Sequence, residues 1–218
     1  MASAAGLRRG ASGMGVRALC VLVHGRGQSP EEMESHVLRR LSAPEVAFLL
    51  PRAPGGSWYD AKAIDPLTEV TRAQLGEALV RLAEEISVLR SDFPGRPLLL
   101  AGFSQGACLS IEYVSLGVDP PQALAAFTGC RVGTSTCARP DSAPAGLPVY
   151  LSGSDGDPWI PLNAMMAAAI NLGLRGTRLR ADVFPGRPHE VSDAEVTMLA
   201  GALADLAAGR PPGFGSAR

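Results

Sequence analysis

Lysine is nearly absent. Lys62 is the only one among the 20 lysines and arginines of this 218-residue chain, and the formal net charge is −1. Without a basic excess there is no electrostatic footprint for nucleic acid or an anionic membrane. A small neutral or mildly polar molecule is the expected partner. The scarcity of lysine, with abundant alanine, reads as the coding bias of a GC-rich bacterial genome.

Long apolar runs are also missing. The runs at residues 16–23 and 98–101 fall well short of the roughly 20 residues needed to span a bilayer, so stable membrane insertion is not expected. The first 15 residues carry Arg8 and Arg9 among Ala, Ser and Gly. They lack the separate apolar stretch and cleavage site of a secretory signal, because the following apolar run leads straight into His24-Gly25. A disordered tail is expected there. The four cysteines contain no C-x-x-C pair, which sets aside zinc and thioredoxin-like sites. Cys20 and Cys108 lie in apolar stretches and are expected as buried thiols. Cys130 and Cys137 would bridge only in an oxidising compartment, for which no export signal speaks.

What is present is enough for one core. Hydrophobic residues make up 46% and charged residues 19%, the balance of a single globular domain, expected over residues 16–209, with a second flexible tail at 210–218. Apolar runs at 19–23, 46–50, 98–101, 124–127 and 149–151 suit parallel strands covered on both faces. Residues 179–183 alternate, with Arg180 and Asp182 between apolar neighbours, as an edge strand with one wet face would. Over 68–91, Leu75, Leu79, Leu82, Ile86 and Leu89 form one apolar helical stripe that Pro94-Gly95 stops. Further helices are expected at 30–41, 105–116, 161–171 and 193–208, with Gly117 and Gly173 as C-terminal caps. The β-α alternation, without internal repeat, predicts an α/β fold: a mostly parallel, doubly wound sheet with helices on both faces.

One of its strands leads into Gly102-Phe103-Ser104-Gln105-Gly106, and a helix follows. G-x-S-x-G gains meaning from that setting, because a tight strand-to-helix turn projects the serine hydroxyl above the sheet. The helix N-terminus also aims N–H groups at the place where an oxyanion would form. With 25 glycines the pattern arises readily by chance, but here it occurs once and in the right context.

A serine needs a base to accept its proton. Of three histidines, His36 falls in a predicted helix among charged residues, and His24 ends the first strand. His189 lies in a turn between the edge strand and the last helix, where a loop can swing an imidazole over Ser104. The alternative is an ordinary polar loop residue. The base needs a carboxylate, and Asp155 and Asp157 compete in the loop after residues 149–151. Asp157 precedes Pro158, which favours an extended backbone able to aim the side chain into the site. Asp155 suits bonding to its own glycine-rich turn. Oxyanion donors are expected from the backbone N–H groups of Gln105 and of Arg26, in the loop His24-Gly25-Arg26-Gly27-Gln28. A phosphate-binding loop is not expected, since neither G-x-G-x-x-G nor G-K-[ST] is present. Trp58, Tyr59, Phe103, Val132 and Trp159 are candidate pocket walls, their alternative being ordinary core or surface residues. Arg26 and Arg131 either present a cation to an acidic substrate or are simply solvated.

Several motifs together resemble the phospholipase/carboxylesterase family of α/β-hydrolases, relatives of the acyl-protein thioesterases. They are His24-Gly25-Arg26-Gly27 followed by Glu31-Glu32, Leu50-Pro51-Arg52-Ala53-Pro54 with Ser57-Trp58-Tyr59, Gly102-Phe103-Ser104-Gln105-Gly106-Ala107, Asp157-Pro158-Trp159-Ile160-Pro161 and Phe184-Pro185-Gly186-Arg187-Pro188-His189. The resemblance implies an α/β-hydrolase fold, a triad of Ser104, Asp157 and His189, and an oxyanion hole at Arg26 and Gln105; the chain itself leaves little room for a large lid domain, its long insertion-like stretch being 55–66. It further implies a cytoplasmic enzyme without metal or cofactor, often a homodimer. The chain departs from similar proteins in carrying Pro188 rather than glycine before His189, Thr128-Gly129 where Ser-Gly is usual, and an unlike segment after Tyr59. These differences bear on the pocket rather than on the reaction. The expected activity is hydrolysis of small carboxylic esters. An acyl-thioesterase or lysophospholipase would use the same groups, and a ligand-binding receptor on the hydrolase fold is the rival of another class.

Overall fold

In the computed structural model, which describes residues 6–214, the five continuous apolar runs become the five middle strands of one sheet. They are β2 (Ala18–Val23), β3 (Val46–Leu50), β4 (Leu98–Phe103), β5 (Ala123–Phe127) and β6 (Pro148–Gly153), and every residue in them is buried. Two further strands, β1 (Leu7–Gly10) and β7 (Arg178–Val183), close the sheet at its edges in the order β1-β3-β2-β4-β5-β6-β7. All neighbours run parallel except β1, which pairs antiparallel with β3. This is the α/β-hydrolase arrangement of strands and helices.

The period of two along each strand divides the core into two layers. Leu19, Val21 and Val23 pack on one face with helices α2 (Glu69–Asp92), α3 (Gln105–Ser115) and α4 (Leu162–Leu174). Ala18, Cys20 and Leu22 pack on the other face with α1 (Pro30–His36) and α5 (Asp193–Ala207). The chain steps from β2 outward to β3 and then returns to β4 on the other side of β2. That reversal opens a crevice at the carboxyl ends of β2 and β4, where α/β sheets bind ligands.

Three expectations need correction. The predicted N-terminal tail contributes β1, whose residues Arg8 and Arg9 hide its strand character. A polar edge strand needs little apolarity, and its arginines pair with Asp92 at 2.5 Å and Glu34 at 2.8 Å. The C-terminal stretch is likewise tied down: Phe214 is buried and stacks on Tyr150, with ring centroids 5.8 Å apart. The parts of both expected tails at residues 1–5 and 215–218 lie outside the described residues. Gly173 sits inside α4 rather than capping it; Gly176, at φ +79°, takes the left-handed position past the helix end. Gly117 does follow α3 at φ +71°. Among the described residues no helix is long and apolar enough to cross a membrane.

Candidate active site

Ser104 sits between β4 and α3 at φ 54°, ψ −118°, a strained conformation for a non-glycine residue. The turn is possible because its flanking glycines have no side chains. A Cβ on Gly102 would run into the backbone of Gly106, and one on Gly106 would meet the His24 carbonyl oxygen at 2.6 Å. Gly25 lies equally close; a Cβ there would be 3.2 Å from the Ser104 Cβ. The β2 loop therefore presses directly against the serine.

The two other predicted groups reach the same point. His189, in the loop after β7, places Nε2 2.9 Å from Ser104 Oγ and Nδ1 2.6 Å from Asp157 Oδ2. The Asp157 side chain is fully covered. Burial opposes its charge, but hydrogen bonds from the Ile160 amide, His189 and the Trp159 amide outweigh that and hold the carboxyl below its ordinary pKa. Both amides lie 2.8 Å from Asp157 Oδ1. The other oxygen is thus fixed toward His189 Nδ1, an arrangement that suits a proton on Nδ1 and leaves Nε2 facing the serine hydroxyl.

Asp155 is excluded from this relay. It does not bond its own turn, as the sequence suggested; Oδ1 accepts the Gly186 N–H at 2.7 Å, while Ser154 Oγ accepts the Gly156 N–H at 3.2 Å. Asp155 thereby ties the aspartate loop to the histidine loop. His24 is not exposed to the site either. It is fully buried, Nδ1 donates to the Gly25 carbonyl at 2.7 Å, and Nε2 accepts the Ala53 N–H at 3.1 Å. Burial, the dominant influence, lowers its pKa, so it serves as a neutral clamp. His36 is exposed in the last turn of α1.

Around the predicted oxyanion donors the amides of Gly25, Gly27 and Gln28 are all engaged, by Gln28 Oε1, the Gly56 carbonyl and the Gly25 carbonyl. Among the described residues the N–H groups of Arg26 and Gln105 donate to no such partner. Their side chains converge on one carbonyl: Tyr59 O receives Arg26 Nη2 at 2.9 Å and Gln105 Nε2 at 2.7 Å. Gln105 Oε1 also accepts the Trp58 N–H at 3.0 Å, and Trp58 Nε1 donates to the His24 carbonyl at 2.9 Å. Trp58 and Tyr59 are therefore buried braces behind the site rather than pocket walls. Val132 is core as well. Phe103 lies 4.8 Å from the His189 ring, centroid to centroid, and Trp159 is exposed.

Arg26 is exposed but its guanidinium is engaged by the backbone, and Arg131 is buried in an ion pair while also lining a cavity. Arg26 staples residues 59–61, and Arg131 is buried in a two-pronged ion pair with Glu112 at 2.8 and 3.0 Å. This cavity, of about 520 Å³, is lined by Ile64, Arg131, Gly133, Arg139, Asn163 and Asn171, and none of the five predicted pocket walls lines it. All four cysteines are free: the Cys130 amide donates to Cys108 Sγ at 3.4 Å, and Cys137 stands beside Thr134. No cluster of three or more His, Cys, Asp or Glu residues able to hold a metal occurs among the described residues.

A parallel sheet whose strand ends bring a strained serine, a histidine and a carboxylate into line is the site architecture of an α/β-hydrolase. Residues 11–206 match the phospholipase/carboxylesterase family, and the chain belongs to it. It is a hydrolase of the esterase and thioesterase kind. The phospholipase/carboxylesterase of Dyadobacter fermentans is similar at 26% identity and a TM-score of 0.82, over 93% of this chain and 97% of that one. Esterase PE8 shares the fold at 24% identity and a TM-score of 0.77, with 93% and 98% covered. So does acyl-protein thioesterase 2 of Zea mays, at 16% identity and 0.71, with 93% and 99% covered.

Proposed function

We propose that this chain is a serine carboxylesterase that hydrolyses small carboxylic esters through an acyl-enzyme on Ser104. The observation that carries the reading is the unbroken line Ser104 Oγ, His189 Nε2, His189 Nδ1, Asp157 Oδ2, with contacts of 2.9 and 2.6 Å. As Oγ attacks the ester carbonyl carbon, Nε2 takes its proton and Asp157 stabilises the imidazolium. The carbonyl oxygen becomes an oxyanion received by the Arg26 and Gln105 amides. Collapse of the adduct expels the alcohol, which leaves with the proton from Nε2. Water then enters, gives a proton to Nε2, attacks the acyl carbon and releases the acid, restoring Ser104. Every step uses groups of the chain and water.

Small esters are favoured because, among the described residues, no separate lid domain stands over the half-buried serine. The segment 55–66 is held down by the buried Trp58, Tyr59 and Ala61. The test is a fluorophosphonate probe on folded protein together with a panel of p-nitrophenyl esters of rising acyl length, an acyl-thioester and a lysolipid. The probe should attach to Ser104, and Ser104→Ala should lose on the order of 10⁴- to 10⁶-fold in kcat. Fastest turnover on the thioester or lysolipid would reassign the substrate. Absence of both adduct and turnover would make the chain a ligand-binding relative.

A further inference from the structure

The loop that carries His189 is held by a buried charge that the relay itself does not use. Arg187 lies two residues before His189 and is 7% exposed. Its Nη1 reaches Glu195 Oε2 at 3.0 Å and also the Glu190 carbonyl; its Nη2 donates to Thr128 Oγ1 at 2.6 Å. Glu195, at 0% exposure, is itself fixed from three sides. It accepts the Ser192 N–H at 2.6 Å and hydroxyl at 2.7 Å, closing the capping box of α5, and it bonds the Ser152 hydroxyl on β6.

The Thr128 end is equally unusual. Thr128 stands at φ 56°, a region costly for a β-branched residue, where glycine would sit without strain. Glycine would leave Nη2 of Arg187 without its partner. Thr128 directly follows Phe127, whose carbonyl accepts the Ser104 N–H at 3.0 Å, so this anchor belongs to the frame of the nucleophile. Arg187 therefore fastens the base loop at one end to the serine's neighbourhood and at the other to α5.

Stability does not explain the arrangement. A buried ion pair is seldom better than an apolar pair of equal volume, because desolvation offsets the attraction. Here Arg187 Nε has no hydrogen-bond partner among the described residues, a further cost. What a planar guanidinium held by three separate partners does supply is a fixed position. We infer that Arg187 is the positioning residue of the base, acting with Thr128 and Glu195 to hold His189 Nε2 in line with Ser104 Oγ. The inference rests on the proposed role of His189. With the Asp155 to Gly186 bond on its other side, the loop is pre-set rather than swung into place.

The test compares Arg187→Met and Thr128→Val with the parent and with Leu82→Ala, a core variant on α2 remote from the site. The readouts are kcat and KM on p-nitrophenyl acetate, the rate of fluorophosphonate attachment to Ser104, the pH-rate profile, and the downfield NMR proton of the His189 to Asp157 bond. Arg187→Met should lower kcat and labelling by on the order of 10- to 100-fold with KM nearly constant, shift the pH-rate profile and weaken the downfield proton. Thr128→Val, which removes one anchor, should do the same more weakly. Leu82→Ala should lower Tm and leave kcat near the parent value. Folded Arg187→Met and Thr128→Val proteins that keep kcat and labelling within about twofold, like Leu82→Ala, overturn the positioning role alone. A parent that neither turns over nor labels overturns the role of His189 and this inference with it.

Discussion

Ser104 and Gln105 show how much one position can carry. Strain at Ser104 persists because the surrounding backbone leaves no room to relax: Gly102 and Gly106 touch across the turn, and Gly25 lies against the serine. Gln105 has a double part. Its N–H is the proposed oxyanion donor, while its side chain, 6% exposed, holds residues 58 and 59 and shares the Tyr59 carbonyl with Arg26. The two proposed donors are thereby locked to one peptide, and their amides need no reorganisation as charge develops. Gln105→Leu keeps the N–H and removes the lock. Its kcat should fall roughly 10- to 100-fold with little change in KM, measured by steady-state kinetics on a short p-nitrophenyl ester. An unchanged kcat would mean that the backbone alone sets the hole.

The βα loops are held by polar clamps, and one of them is sensitive to acid. His24 joins the end of β2 to Ala53 after β3 and is buried in its neutral form, its pKa lowered chiefly by burial. The unfolded chain should protonate it near the ordinary value of about 6.5. Above that pH both states are neutral and the clamp contributes in full. As pH falls through it the unfolded state takes up the proton first, and stability declines until the lower folded-state pKa is reached. Thermal melts between roughly pH 7.5 and 5 should therefore show Tm falling toward acid. His24→Asn, though less stable overall, should show a shallower slope in that window. The Asp157 carboxyl has the same sign in a more acidic window: its depressed pKa means stability held above the usual carboxylate value and lost below it.

At the scale of the molecule, the sheet order matters most, because it carries Gly25, Ser104, Asp157 and His189 to one rim from four distant stretches. Phe214 also belongs to the fold. Phe214, 4% exposed against Tyr150, should cost about 2–4 kcal/mol when replaced by Ala, a fall of roughly 5–15 °C in Tm. Scanning calorimetry would measure it, with esterase turnover at low temperature unaffected. The strands β2 to β6, the long helix α2 and the serine turn were legible in the sequence, since continuous apolar runs, a 3.6-residue stripe and G-x-S-x-G are local patterns that burial and backbone sterics impose. The structure brings the Asp157 and His189 side chains into line with Ser104, and the loops that carry them were legible too. Strand β1 was not, because two arginines on an edge look like a tail until β3 is beside them. Nor were the buried Arg187, the neutral His24 or the bracing Trp58 and Tyr59, since a polar or aromatic residue in a loop reads the same whether it faces water, ligand or core. The sequence alone determined which groups have the chemistry, for residue type and local spacing set nucleophilicity and turn shape. Only the tertiary structure decided which of them meet and which are locked away, because desolvation and hydrogen-bond partners come from chain segments far apart in sequence.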